Sequence, residues 1–280
     1  MPLAVHLKPI ETLLFSSDVV AIGKFRCPAG HPLFRDSGPC THHTFVFPRT
    51  ATEIQHLDGP SFVGSPNSVS LYNQHQRYTR RPISAIDASD WFVIADDVLR
   101  DAIASFDPSV HDRPSQPFRR PSAPIDTATY AAQRRLFQRV AAGDCDAIAI
   151  DEEALRIFSN VMTAAEGANP FANPAMRDAV ETVKRIITAA PSRNVPLRTL
   201  AAETGSSPFQ LCRAFRRHTG MTMTGFRHSL RVRIALDRLR DLRTDLTDLA
   251  LDLGYASHSH FTASFRRQVG ITPSQFRATA

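Results

Sequence analysis

The chain has 280 residues, 42% of them hydrophobic and 21% charged, a composition that suits two ordinary globular domains, and it holds no run of about 18 apolar residues that would span a bilayer. Its charge is uneven: residues 175–280 carry 17 Lys+Arg against 8 Asp+Glu, the remainder carries 16 against 19, and the whole chain is left at +6, which places a polyanion-binding function in the C-terminal part. The opening Met1-Pro2-Leu3-Ala4-Val5-His6 has no basic segment leading into an apolar run and the four cysteines are scattered, so a cytoplasmic protein with reduced thiols and no membrane partner is expected.

In chain order, residues 10–95 read as short strands. Val19–Phe25, Thr44–Phe47, Ser61–Val63, Ser68–Tyr72 and Trp91–Ile94 are rich in β-branched and aromatic residues, and Pro and Gly punctuate them at Pro28, Gly30, Pro39, Pro48, Gly59, Pro60, Gly64 and Pro66. Strands this short and this closely spaced predict a sandwich or small barrel. Asp107–Asp126 holds five prolines and reads as an irregular loop. From Thr127 the spacing of Tyr130, Leu136, Phe137 and Val140 predicts a helix, and Leu155, Phe158, Val161 and Met162 predict a second. Residues 167–175, with Pro170 and Pro174, interrupt helix and are read as an interdomain linker. The expected domains are therefore 1–166 and 176–280.

The basic part contains one pattern twice. Phe215-Arg216-Arg217-His218-Thr219-Gly220 is echoed by Phe265-Arg266-Arg267-Gln268-Val269-Gly270, and Thr222, Phe226 and Arg227 by Thr272, Phe276 and Arg277. Each echo closes a helix-turn-helix, at about 197–218 and 246–268. In the first, Leu197, Leu200 and Ala201 share one helical face, Gly205 stops the helix, Ser206 or Ser207 caps the next, and Pro208 takes its first turn. The helix Pro208–His218 then buries Leu211, Ala214 and Phe215 and shows Phe209, Gln210, Cys212, Arg213, Arg216 and Arg217. The second copy runs from Leu246 through Gly254 to a helix at His258–Gln268. Between the copies, Met223–Leu242 alternates apolar residues with Arg227, Arg231, Arg233, Arg238 and Arg240, a long amphipathic helix that sets their spacing.

On these residues, and on the closing segment Phe265–Arg277 in particular, residues 176–280 resemble the DNA-binding domain of the AraC/XylS family of bacterial transcription regulators. The resemblance implies seven helices and two recognition helices in successive major grooves. It places base-reading positions on Phe209, Cys212 and Arg213, with Gln210 and Ser207 adjacent, and on His258, Ser259, Thr262 and Ala263. Cys212 is a poor hydrogen-bond donor and Ala263 has none to offer, so Arg213, His258, Ser259 and Thr262 are expected to carry direct readout, Arg213 on guanine. Arg216, Arg217, Arg266 and Arg267 are expected to face phosphate or solvent. The strand-rich half followed by two helices resembles the cupin-like sensing domain of the same family, which implies an α+β chain, a small-molecule effector in the barrel, a homodimer interface on the helices from Thr127 to Ala165, and RNA polymerase as a further partner.

One cluster invites a different chemistry. Cys27, His31, Cys40, His42 and His43 offer two thiols and three imidazoles within 17 residues, donors suited to zinc, against the alternative of surface histidines beside two ordinary cysteines. His56, His75, Arg77 and Tyr78 are candidates for a pocket lining, with loop exposure as the alternative. The expected function is thus an effector-responsive, sequence-specific regulator and not an enzyme, with activation or repression left open. The competing readings are a metal-dependent cupin enzyme, a thiol or metal sensor, or an alkyl-group acceptor carrying a DNA-binding domain.

Overall fold

A computed structural model describes residues 1–57, 59–143, 146–167, 173–239 and 243–278. The chain divides into two compact units, Met1–Ile125 with Ala132–Gly167, and Asp126–Ala131 with Ala168–Ala280. Most of the expected linker at 167–175 lies outside the described residues.

The first unit is built on two antiparallel sheets. The larger has the order β1 (Glu11–Ser16), β2 (Val20–Pro28), β8 (Ile86–Ile94), β3 (Thr44–Pro48), β6 (Ser68–Tyr72) and β9 (Ser122–Pro124). The smaller has β5 (Ser61–Gly64), β4 (Thr52–His56) and β7 (Tyr78–Pro82). The 107–126 stretch is more regular than its prolines suggest: a 3-10 helix covers Pro108–Asp112 and β9 pairs Val69 with Ala123. Proline is tolerated in both, at the first turn of the one and on the edge strand of the other.

Alternation along β3 and β8 divides the large sheet into two faces. Phe45, Phe47 and Phe92 stack on one, with Phe158 of helix α3 (Ala147–Gly167) 5.1 Å from Phe45. Val46, Trp91 and Val93 face the other way, into a cavity that residues of the small sheet also line. Helix α1 (Asp96–Ala104) follows β8, and helix α2 (Thr127–Ala142) is tied to the sheet where Gln133 Nε2 donates to the wholly buried Asp90 at 2.8 Å and Arg134 pairs with the same carboxylate.

In the second unit the described residues form seven helices after α3, the number the family resemblance implies. They are α4 (Pro174–Ala189), α5 (Leu197–Glu203), α6 (Pro208–Thr219), α7 (Met223–Arg238), α8 (Leu246–Asp252), α9 (His258–Val269) and α10 (Pro273–Ala278). Pro174 does not break α4 but begins it, with the Asn173 side chain accepting from Ala175 N. Val180, Val183 and Ile187 of α4, Leu200 of α5, Leu211 and Phe215 of α6 and Phe226 and Leu230 of α7 make one core. α7 ends at Arg238, short of the expected Leu242; residues 240–242 lie outside the described residues.

Candidate nucleic-acid interface

The two helix-turn-helix motifs are assembled by the same local devices. Leu200 and Ala201 in α5, and Leu249 and Ala250 in α8, are buried. After each short helix the chain turns through a glycine with positive φ, Gly205 at 60° and Gly254 at 76°, where a residue with a Cβ would be strained. The turn closes identically in both: Ser206 N donates to Ala201 O, and Tyr255 N to Ala250 O, each at 3.0 Å. A serine then caps the recognition helix, Ser207 accepting from Gln210 N at 3.2 Å and Ser257 from His260 N at 3.1 Å, which satisfies an otherwise orphaned donor.

The copies are not in constant register. Leu200, Ala201 and Gly205 answer to Leu249, Ala250 and Gly254 at an offset of 49, whereas Ser207, Leu211 and Phe215 answer to Ser257, Phe261 and Phe265 at 50. The second turn is one residue longer, and it carries Tyr255, only 3% exposed. That ring packs 5.3 Å from both His260 and Phe261 and under the Arg231 guanidinium at 5.5 Å.

α6 buries Leu211, Phe215 and Thr219 and leaves most of its other side chains in solvent. Phe209 is 75% exposed, and Gln210, Cys212, Arg213, Arg216 and Arg217 are exposed as expected. Phe209, Cys212, Arg213 and Arg216 line one open cleft with Arg193 and Arg227, two arginines that helical periodicity alone does not bring to this face. Ala214 is half-buried rather than buried. Ser207 and Gln210 are in part occupied with each other, since the Ser207 hydroxyl donates to Gln210 Oε1 at 3.1 Å.

In α9, Phe261, Ser264 and Phe265 point inward, and His258, Ser259, Thr262, Ala263, Arg266 and Arg267 line a second cleft. Ser259, Ala263, Arg266 and Arg267 are exposed; His258 and Thr262 are half-buried, with Thr262 Oγ1 3.5 Å from His258 Nε2. No acidic side chain is among the described residues lining either cleft, so both present positive potential to a polyanion.

The sulfur and imidazole residues of the first unit are placed differently. Cys27 is fully buried in β2. Burial pushes the Cys40 thiol up to about 12. The ring nitrogens of His31, His42 and His43 each accept a backbone N–H, from Leu33 at 3.2 Å, His6 at 3.3 Å and Gln74 at 3.0 Å. Among the described residues no group of three or more His, Cys, Asp or Glu is positioned to hold a metal ion. Of the pocket candidates, Tyr78 lines the cavity between the sheets, His56 is buried against Phe62 and Tyr72, and His75 and Arg77 are exposed.

Comparison with known proteins bears on the second unit. A family model described as a helix-turn-helix domain matches residues 200–279. The chain is 37% identical over 78 residues to the regulatory protein SoxS of Escherichia coli (strain K12), a match covering 28% of this chain and 73% of SoxS. It is 30% identical over 91 residues to the HTH-type transcriptional activator RhaR of Klebsiella pneumoniae, spanning about a third of each protein (32% and 32%). Among solved structures, ToxT from Vibrio cholerae aligns over 93% of this chain and 98% of its own at 13% identity and a TM-score of 0.37. No helix among the described residues is long and apolar enough to cross a membrane. With paired, capped and arginine-flanked helices set within residues 200–279 of the helix-turn-helix match, and with 73% of SoxS covered, the chain belongs to the AraC family of DNA-binding transcription regulators.

Proposed function

We propose that this regulator reads duplex DNA through α6 and α9 and that a small molecule bound between the sheets of the first unit sets its activity at a promoter. The observation carrying the DNA half is the pair of exposed, acid-free faces on two serine-capped helices of one core. An α-helix fits the major groove, phosphate contacts supply affinity, and base edges supply specificity. In α6 the base-facing set is Phe209, Cys212 and Arg213, with Gln210 and Ser207 at the helix start; in α9 it is His258, Ser259, Thr262 and Ala263. Arg193, Arg216, Arg217, Arg227, Arg266 and Arg267 take phosphate. The protein acts by binding and not by turnover, with RNA polymerase as the partner it recruits or blocks and a second copy of the chain as a dimer partner. The boundaries 1–166 and 176–280 serve as its sensing and reading parts.

The test compares the full chain with Arg213→Ala on a duplex enriched from a random library and on unselected DNA. Losing a bidentate guanine contact costs about 1–3 kcal/mol, so the selected duplex should be released about tenfold or more and unselected DNA barely affected. Equal losses on both would make Arg213 a phosphate contact.

The effector half rests on the cavity itself. It encloses about 80 Å³ of free space and is walled by residues of both sheets, a concave and partly apolar setting of the kind small molecules occupy.

A further inference from the structure

We infer that the cavity of the first unit takes an uncharged, largely apolar molecule bearing a hydrogen-bond acceptor, such as an ester or a ketone, and that Trp91 is the group that recognises the acceptor. This rests on the reading of that cavity as the effector site and adds the chemical class of the effector.

The apolar part of the wall comes from both sheets: Phe25, Val46, Trp91 and Val93 from the large one and Ile54 from the small one. Apolar contact of this kind selects for a molecule with little polar surface, because every polar group it carried would have to shed water without replacement.

The charged groups on the wall are already engaged with the protein, apart from Arg80 Nε–H, which has no acceptor among the described residues. Arg80 Nη1 donates to Asp87 Oδ2 at 2.8 Å and Nη2 to Leu33 O at 2.8 Å, while the guanidinium lies 4.6 Å from the Phe25 ring. Lys8 donates to Gly38 O at 3.3 Å and sits 5.8 Å from the Tyr78 ring, and its own backbone N–H binds the Glu11 carboxylate at 2.8 Å. Two cations therefore stand against two carboxylates. An anionic effector would meet Glu11 and Asp87 as well as the cations, and a cationic one would meet Lys8 and Arg80. Burial raises the thiol of Cys40 and the phenols of Tyr72 and Tyr78, which keeps all three neutral.

What the wall leaves unmatched among the described residues is capacity to donate, at Trp91 Nε1, at Arg80 Nε and at the Ser70 and Thr52 hydroxyls. Trp91 is 5% exposed and lines the cavity, and among the described residues its Nε1–H has no acceptor and the buried Ser70 hydroxyl on the same wall has no partner. Indole can only donate. A ligand carbonyl oxygen is the complement, and it removes the cost of a buried donor left unpaired.

Trp91 is also the only tryptophan of the chain, so its emission reports the cavity directly. The experiment titrates the full-length protein with methyl cyclohexanecarboxylate and, separately, with cyclohexanecarboxylate, the same skeleton with a charge. The inference expects a saturable change in Trp91 emission with the ester and binding at least about tenfold weaker for the carboxylate. Trp91→Phe keeps an aromatic wall and loses the donor; followed by ligand-induced thermal shift, it should bind the ester about fivefold more weakly. Carboxylate binding as tight as the ester, or carboxylate binding that vanishes with Lys8→Met, would keep the cavity as an effector site and overturn the uncharged class. An unaltered affinity in Trp91→Phe would overturn the assignment of the donor. No saturable response to either compound at about 10 mM, where a fragment of this size should bind a matched pocket, would overturn the class together with the reading of the cavity as the effector site.

Discussion

Arg231 shows how one residue can escape a pattern-based reading. The alternation along α7 places Arg231 and Arg233 on a solvent face, yet they are 2% and 0% exposed. Arg231 is spent on backbone: Nε donates to Pro191 O at 2.7 Å, Nη1 to Gly254 O at 3.1 Å and Nη2 to Ser192 O at 2.9 Å. One guanidinium thus ties the loop after α4 to the turn of the second motif. Periodicity cannot announce this, because the acceptors are main-chain carbonyls that leave no trace in the sequence. Arg231→Met keeps the length and removes the donors, and stranding three carbonyls should cost the second unit about 2–3 kcal/mol, read by denaturant unfolding. His56 supplies a residue-scale prediction for the first unit. Burial lowers its pKa from 6.5 to about 4, so the unfolded chain takes up the proton first. Stability is full above about pH 6.5 and falls as the pH drops toward 4, by about 2 kcal/mol at pH 5. His56→Phe, which keeps the ring against Phe62 and Tyr72, should flatten that part of the slope in unfolding curves taken at pH 7 and pH 5.

At the scale of elements, what is legible depends on whether a segment's partners are local. The Ser207 cap, the turns at Gly205 and Gly254 and the burial of Leu211 and Phe215 follow from spacing within about twenty residues and stand where the sequence places them, whereas Ala214 is only half-buried. The strands that read clearly include β6 and the Trp91–Ile94 end of β8, buried throughout, and β2, which is buried from Val20 to Gly23 and alternates after it. β4 (Thr-Glu-Ile-Gln-His) and β7 (Tyr-Thr-Arg-Arg-Pro) do not read as strands, because a small sheet with one wet face is polar at alternate positions and short. The extra residue in the second turn is legible only as a slip from 49 to 50, and its consequence only in three dimensions. A Cβ on Gly254 would lie 2.3 Å from Ser192 O, whereas one on Gly205 would meet nothing within 4 Å. Both glycines need positive φ, so Gly205→Ala should cost about 1 kcal/mol in backbone strain. Gly254→Ala adds a collision with main chain and should cost about 3 kcal/mol or more. Thermal unfolding of the two single variants distinguishes them; equal losses would mean that the second turn is as free as the first.

For the whole molecule, the charge difference between the two parts was plain from composition, but which arginines create an outward field was not. Of the arginines between α4 and α10, Arg231 and Arg233 are internal, Arg238 pairs with Asp252 at 2.8 Å, and Arg277 donates to Thr244 O at 2.7 Å. The arginines that line the two clefts are instead Arg193, Arg213, Arg216 and Arg227 around α6 and Arg266 and Arg267 on α9. The cleft of the first motif is therefore the more strongly cationic, and under the proposed function the second motif, with His258, Ser259 and Thr262, relies more on short polar contacts to bases. This division has a measurable form. Each phosphate neutralised contributes about −0.9 to the slope of log K against log salt. Arg266→Ala with Arg267→Ala should reduce the slope by about 2 and weaken selected and unselected duplexes alike. His258→Ala with Thr262→Ala should leave the slope in place and weaken the selected duplex alone, because contacts to base edges neutralise no phosphate and release no counterion. Anisotropy titrations of the full chain over a range of salt concentrations check both, and a fall in slope in the second variant would place α9 on the backbone and not in the groove.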